Sequence, residues 1–548
     1  MDRKFLFEQN LLSLSKNSPE LCSRLSAAST DGNEYRFLPS RTGEIIPALT
    51  LPSGSARPLH STMDPKREAE RLIATAGEEG FFVFFGLGGG FAPEAALERK
   101  ETKHVLVIDY GCNGAAELLC SKNYTGLFGD SRFKMLIDPP KGAIQDYITL
   151  KYRPVLQGGI RVFPLLPRTE GDKAFGGAHE EIKNAIDLCT RDYSVQAWFG
   201  KRWFSNILRN LSLAEQSRFS LPPARRAAIT AAGPSLDSQI PLLKKERASV
   251  FLIATDTSLP ALLNQGLEPD GVLSIDCQHI SYHHFFSSLP RQTFLFLDLA
   301  SPHTIAALGK KTVFFAGGHP LAQYIKRVWR PLPGLDTSGA NVAYAAVSLA
   351  ENLGATEITL YGADFSYPRG RTYARGAYIY PFFENRQTRF FSMETQHSGF
   401  LYRSPFLEKM VKADHSFSYR TESLKFYQAA LEQKAASSPA HIRWGNPLSG
   451  QGGRRRNFPG REISAIWPGN ANCSAAGFLE AYKKKLESLS SFDDSLEENR
   501  NVLTTILPSA AAFRRLSPSL DADELFRETR SWCVAALEKV IAANKRYL

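Results

Sequence analysis

Six short apolar runs recur between residues 227 and 361: 227–231, 250–254, 271–275, 293–297, 312–315 and 357–361. Helical patterns separate several of them, notably at 259–265 and 340–353. Alternating β and α elements of this length predict a mostly parallel sheet with helices on both faces. Such a sheet takes its ligand beyond the carboxyl ends of its strands, so the residues that follow each run are the first place to look for chemistry.

Upstream, Phe81-Phe82-Val83-Phe84-Phe85 reads as a buried strand that ends in Gly86-Leu87-Gly88-Gly89-Gly90. Residues 93–100 look helical, and His104-Val105-Leu106-Val107-Ile108 is a second buried strand closing on Asp109. Strand, glycine-rich loop, helix, strand and acid in that order form the first half of a Rossmann-like domain, where the acid meets a ribose. The glycines do not spell a clean GxGxxG, so the unit reads either as a nucleotide site or as a scaffold without ligand.

Residues 1 to about 65 read as short strands and turns, followed by a helix over 64–76. The expected organisation is a Rossmann-like α/β domain over 1–175, a helical connector over 176–220, a central α/β domain over 221–415 and a helical region over 416–548. In the last region Phe478, Tyr482, Leu486 and Leu489, then Leu525, Trp532, Leu537, Val540 and Ile541, form apolar stripes. These stripes are expected to pack on the central domain or on each other rather than on a membrane. The segment 444–459 reads as a loop dense in Gly, Arg and Pro.

With 548 residues, 43% hydrophobic and 22% charged, the chain has the composition of a soluble protein of several domains. A net charge of +11 favours anionic partners. The basic clusters (Arg225-Arg226, Lys244-Lys245, Arg454-Arg455-Arg456 and Lys483-Lys484-Lys485) are short and scattered, which suits a solvated surface better than a nucleic-acid groove. Seven cysteines without a CxxC pair indicate neither a zinc site nor a disulfide framework. With no secretory signal and no apolar run long enough to span a membrane, the expected location is the cytoplasm.

Polar residues fall at several strand ends of the central domain. Gly233-Pro234-Ser235 follows the first run, Asp256-Thr257 the second, Asp276 the third and Gly362-Ala363-Asp364 the last. A strand that breaks at a Gly-Pro-Ser turn into a helix presents backbone N–H groups to a phosphate. Thr337-Ser338-Gly339-Ala340-Asn341 opens the helix before the last strand, where small hydroxyls cap the helix and cradle an anion alike. Beyond Asp364, Tyr367, Arg369, Arg371, Tyr373 and Arg375 suit a phosphate or an acidic sugar, or form a mobile lid. His397 is a candidate general base. His279, His283 and His284, which follow the Asp276 strand end, compete for that role.

These motifs resemble the motility-associated factor (Maf) flagellin glycosyltransferases. That family belongs to the "domain of unknown function 115" group, which also contains MptE-like 6-hydroxymethylpterin pyrophosphokinases. The residues that carry the resemblance are Gly233-Pro234-Ser235-Leu236-Asp237, the stretch from Gly266 to Asp276, Thr337-Ser338-Gly339 and Tyr361-Gly362-Ala363-Asp364. The segment 336–373 is also similar to bacterial sialyltransferases, through Thr337-Ser338-Gly339, Gly362-Ala363-Asp364-Phe365 and Tyr373-Ala374. Those enzymes carry Asn where this chain has Asp256, and their catalytic His-Ser pair matches His397-Ser398 only loosely.

The resemblance implies a central sialyltransferase-like (GT-A-like) α/β domain that moves a nonulosonic acid of the pseudaminic, legionaminic or sialic type. The CMP-activated sugar is the donor, and Ser or Thr of flagellin the acceptor. It implies catalytic roles for Asp364, His397 and Tyr373. Contacts to the nucleotide sugar fall to Gly233, Pro234, Ser235, Asp256, Thr257, Asp276, Thr337, Ser338, Gly339 and Gly362. No cofactor is obligatory, Mg²⁺ is an optional addition, no dedicated metal site is expected, and neither nucleic acid nor a membrane span is involved. Two alternatives stand beside this reading. One is an ATP-dependent pterin pyrophosphokinase in which Asp256, Asp276 and Asp364 hold Mg²⁺; the other is a non-catalytic flagellar accessory protein.

Overall fold

The computed structural model describes residues 3–30, 32–169, 172–286, 289–411, 415–445, 466–467, 471–492 and 497–545. The Arg454-Arg455-Arg456 cluster and most of the loop expected over 444–459 lie outside the described residues. The chain divides into two compact units, Met1–Ala197 and Trp198–Leu548. The division falls inside one long helix, Lys173–Gln216, where the sequence predicts a helical connector.

The first unit opens with helices Arg3–Ser15 and Pro19–Ser26, not with the strands and turns expected there. The inward face of the first helix carries Leu6, Asn10, Ser13 and Leu14. Two of those four are polar, which hides the helical period. Asn10 belongs there because its amide is fully used: Nδ2 donates to Leu119 O and Lys122 O at 2.8 Å each, and Oδ1 accepts from Tyr124 N at 2.7 Å.

β1 (Tyr35–Pro39), β2 (Ile45–Thr50) and β3 (Ala56–Pro58) form a small antiparallel sheet. Helix Pro65–Ala74 is capped by the Asp64 carboxylate, which accepts from Arg67 N. β4 (Phe81–Phe85), β5 (His104–Asp109), β6 (Phe133–Ile137) and β7 (Ile160–Pro164) then make a parallel sheet in the order β6-β5-β4-β7. Helices cover both of its faces. Phe82 and Phe84 point into one apolar core, and Phe81, Val83 and Phe85 into the other. Burial on both sides explains why β4 is apolar at every position.

In the second unit β8 (Phe219–Ser220) precedes β9 (Arg226–Thr230), β10 (Phe251–Thr255), β11 (Gly271–Ser274), β12 (Phe294–Asp298), β13 (Lys311–Phe315) and β14 (Glu357–Tyr361). An insertion follows, in which β15 (Tyr367–Pro368), β16 (Leu407–Val411) and β17 (Phe417–Thr421) form an antiparallel sheet in the order β15-β17-β16. β18 (His441–Trp444) returns to the main sheet, and β19 (Ile466–Trp467) pairs with β8. The main sheet runs β13-β12-β11-β10-β9-β14-β18 with all neighbours parallel. The six runs read from the sequence are thus six of its seven strands.

One face of this sheet packs on helices Val342–Asn352 and Glu422–Ser437. The other packs on Leu236–Glu246, Pro320–Val328 and the end of the long helix, together with Ala475–Ser488 and Ala522–Lys545. The C-terminal helices therefore share one core with the sheet and do not stand apart as a separate region. Phe478, Tyr482, Leu486 and Leu537 all lie in it, and Trp329 Nε1 donates to Cys473 O at 2.9 Å. Each such buried side chain is worth roughly 1.5–3 kcal/mol, which accounts for apolar stripes that need no membrane. Among the described residues no helix is long and apolar enough to cross a bilayer. All seven cysteines are free thiols.

Candidate functional site

The strand order places β9 beside β14 at the point where the sheet stops growing in one direction and continues in the other. Crevices at such a switch point are where open parallel sheets bind ligands. Two turns meet there. Ala231 N donates to Tyr361 O at 2.8 Å and Gly233 N to Gly362 O at 2.9 Å. Asp364 Oδ2 accepts from Ser235 N at 3.1 Å and from Ser235 Oγ at 2.8 Å. A side chain at Gly233 would collide with the Asp364 carboxylate, and Gly362 turns at φ +64° directly against Ala231 O.

The carboxylate of Asp364 thus occupies the anion position at the start of helix Leu236–Glu246, which the sequence assigns to a phosphate. Pro234 holds the turn, its carbonyl accepting from Asp237 N at 3.3 Å. The aromatic and basic segment beyond Asp364 is drawn onto the same turn. Arg371 pairs with Asp237, Arg375 N donates to Asp237 Oδ1 at 2.9 Å, and Ala374 N donates to Ala232 O at 2.8 Å.

Next along the sheet, at the ends of β10 and β11, lies a denser group. Asp256 is buried: Oδ1 accepts from Thr257 N at 2.7 Å and from Thr257 Oγ1 at 3.0 Å, while Oδ2 accepts from Ser274 Oγ at 2.6 Å. Asp276 Oδ1 accepts from Gln278 N at 2.9 Å. His284, on the 3₁₀ segment His279–Phe285, lies within electrostatic reach of both carboxylates. Its ring meets Tyr378 edge-on at 4.4 Å between centroids. The rings of Tyr378 and Tyr373 meet at 5.9 Å between centroids, and burial pushes both phenols up. Cys277, beside Asp276, is pushed up to about 12 by burial, so its thiol is no nucleophile near neutral pH.

Two buried amides hold these strand ends. Asn206 Nδ2 donates to Ala300 O at 2.8 Å and to Cys277 O at 3.2 Å, and Asn210 Nδ2 donates to Leu299 O and Ser301 O.

Thr337, Ser338 and Gly339 lie in a loop rather than at the helix start. The cap of Val342–Asn352 is Asn341, whose Oδ1 accepts from Tyr344 N at 2.9 Å. Its amide fits because Nδ2 at the same time donates to Gly339 O at 3.0 Å. Thr337 Oγ1 accepts from Gly318 N at 3.4 Å, and Ser338 Oγ donates to Asp336 Oδ1 at 2.7 Å. Thr337 therefore sits by the exit of β13, four strands from β9 and roughly 19 Å along the sheet. Asp298, at the end of β12, is buried and its carboxyl is raised to about 6 by burial.

The strand-end acids converge along one edge of the sheet, but His397 is not among them. It lies on helix Met393–Tyr402 against Phe383 at 4.8 Å and Tyr380 at 5.2 Å between ring centroids. Tyr378, Ser274 and Asp298 are additions that sequence reasoning missed. Asp298 ends an apolar run just as Asp109 does, a signal that was open to reading. Tyr378 carried no signal in a segment crowded with tyrosine. Among the described residues no three His, Cys, Asp or Glu side chains are set to hold a metal ion.

In the first unit the glycine-rich turn is closed by the protein's own groups. Leu87 N donates to Asp109 Oδ2 at 2.9 Å, Gly89 N to His60 Nε2 at 2.8 Å, and Tyr124 OH to Gly88 O at 3.1 Å. Asp109 is buried and ion-paired to Arg168 at 3.4 Å.

A family model described as "6-hydroxymethylpterin diphosphokinase MptE-like" matches residues 201–370. Two functionally uncharacterised proteins of Treponema pallidum (strain Nichols) are 36% identical over 154 residues and 34% identical over 157. Each match involves 27% of this chain; it spans 54% of the first relative's length and 73% of the second's. A Maf glycosyltransferase from Magnetospirillum magneticum AMB-1 has a similar structure, with a TM-score of 0.60 at 13% identity over 98% of this chain and 95% of that one. At that identity the likeness speaks for the fold. The chain belongs to the MptE-like family, the "domain of unknown function 115" group, and is built on the fold of a Maf glycosyltransferase.

Proposed function

We propose that this protein is a glycosyltransferase that moves a nonulosonic acid from its CMP-activated form to Ser or Thr of flagellin. The observation that carries the reading is the row of acids and paired turns along the switch point, in a chain that shares the Maf glycosyltransferase fold over nearly its whole length. In this reading Ser235, Gly233 and Gly362 shape the donor crevice around Asp364, with Asp256, Thr257 and Asp276 lining it. Tyr373 and the arginines beyond Asp364 face the phosphate and the acidic sugar. Thr337 to Gly339, farther along the sheet, would meet the distal end of an extended donor.

The test is a titration of the purified protein with CMP, CTP and ATP, each with and without Mg²⁺, paired with the mass of flagellin from cells carrying Asp364→Ala. Selective CMP binding and unglycosylated flagellin are expected. Metal-dependent ATP binding would favour a kinase, and no nucleotide binding together with unchanged flagellin would favour an accessory protein; either overturns the proposal.

A further inference from the structure

Three half-buried histidines each engage one ring nitrogen in the fold, although His319 Nε2 is itself unmatched. His60 Nε2 accepts from Gly89 N at 2.8 Å, His104 Nε2 pairs with Tyr147 OH at 2.8 Å, and His319 Nδ1 accepts from Leu321 N at 3.2 Å. His284 is 8% exposed, and its buried Nδ1 has no hydrogen-bond partner among the described residues. Leaving a buried polar atom unmatched costs about 1–3 kcal/mol, and a catalytic role is one reason a protein keeps one.

The surroundings suit a proton acceptor. The carboxylates of Asp256 and Asp276 both act on the ring, yet they accept hydrogen bonds from Thr257, Ser274 and Gln278 rather than from His284. They are therefore fixed in place and gain an interaction when the imidazole becomes charged, which is preorganised stabilisation of the charge that develops. His283, next in the chain, opposes that charge; its own ring packs on Phe286 and Phe382. Tyr378 closes one side of the ring, with Tyr373 and Arg403 beyond it. On the packed helix His303–Ala306, His303 Nδ1 is engaged with Asn210 Oδ1 at 3.1 Å. Burial lowers the His284 pKa, so the ring is neutral and able to accept a proton at neutral pH. His397, by contrast, packs among aromatic rings, and the charge that acts on it is that of Glu394 on its own helix.

We infer that His284, flanked by Asp256 and Asp276, is the general base of the transfer and that the reacting hydroxyl of the acceptor is seated at the ends of β10 and β11. This rests on the glycosyltransferase reading above. In the step, the acceptor oxygen bonds to the anomeric carbon and the bond from that carbon to the CMP phosphate oxygen breaks, its electron pair leaving with CMP. The hydroxyl proton passes to the imidazole of His284.

The experiment compares the full-length wild type with His284→Gln, His284→Asn, His283→Gln and His397→Gln. It measures CMP binding, thermal stability, and the pH profile of kcat with a CMP-activated nonulosonic acid and flagellin. Both His284 variants should keep CMP binding within about threefold and lose about 10²–10⁴-fold in kcat. The acid limb of the profile should vanish with them, while His283→Gln should retain both rate and limb. The inference is overturned if either folded His284 variant keeps wild-type kcat and its limb, or if His397→Gln removes the limb instead. If the wild type itself binds no CMP, the parent reading fails, and that result is distinct from a His284 variant that turns over normally.

Discussion

Two strand-end turns in this chain carry nearly the same local signal and end in different physical states. In the first unit the turn from Gly86 to Gly90 has its N–H groups and carbonyls taken up by His60, Asp109 and Tyr124, with Lys122 Nζ donating to Gly89 O at 3.1 Å. Asp109, the acid that the pattern would give to a ribose, is instead buried against Arg168. In the second unit the turn from Gly233 to Ser235 is closed by one half-exposed acid, Asp364, and the neighbouring strand ends hold an unmatched imidazole nitrogen. A glycine turn after a strand makes room for an anion. Which of the protein's own groups fills that room, and how deeply it is buried, depends on side chains from distant parts of the sequence.

The largest expected effect comes from exchanging the roles of the two acids. Asp364→Ala should lower transfer about 100-fold or more at little cost in stability. Asp109→Ala leaves Leu87 N and Tyr110 N without their acceptor, and should destabilise the first unit by about 2–4 kcal/mol while folded molecules keep their kcat. Denaturant titration and flagellin-transfer kinetics on both variants check the pair, and the reverse pattern would erase the distinction.

Acidification should also act on the first unit. Burial holds His60 and His104 down to about 4, against 6.5 in the unfolded chain, so both are neutral in the fold. Their stabilisation is fully present above pH 6.5 and is lost as pH falls toward 4, on the order of 3 kcal/mol for each. Protonating His60 Nε2 removes the acceptor for Gly89 N, so hydrogen exchange at residues 86–90 should accelerate across that window.

Gly88→Ala should be milder, at about 1–3 kcal/mol. Gly88 lies at φ +51°, and a Cβ there meets His60 and Leu165. Thermal melts measure it. The smallest effect separates a cap from a loop: Asn341→Ala should cost about 1 kcal/mol and Thr337→Ala less than half of that, by denaturant titration.

Much of the fold could be read from local pattern, because strands buried on both faces must be apolar throughout. The runs at 81–85 and 357–361 coincide with strands β4 and β14 residue for residue. The N-terminal helix could not be read, since Asn10 and Ser13 face the core and their bonds go to residues more than a hundred positions away. β18 lay hidden for a related reason: only four residues long, it joins a sheet whose previous strand is 80 residues earlier. For the site, the strand-end rule found Ser235, Asp256, Asp276 and Asp364. It placed Thr337 to Gly339 beside them because sequence order carries no information about strand order.

The sequence by itself determined the α/β class, the strand ends on which the acids stand, and the family, since each is written in short-range pattern. The tertiary structure decided which acid fills each glycine turn, which acids become neighbours, and that His284 rather than His397 lies within electrostatic reach of Asp256 and Asp276. Those outcomes depend on strand order and on burial, and both are set by packing between segments far apart in the chain.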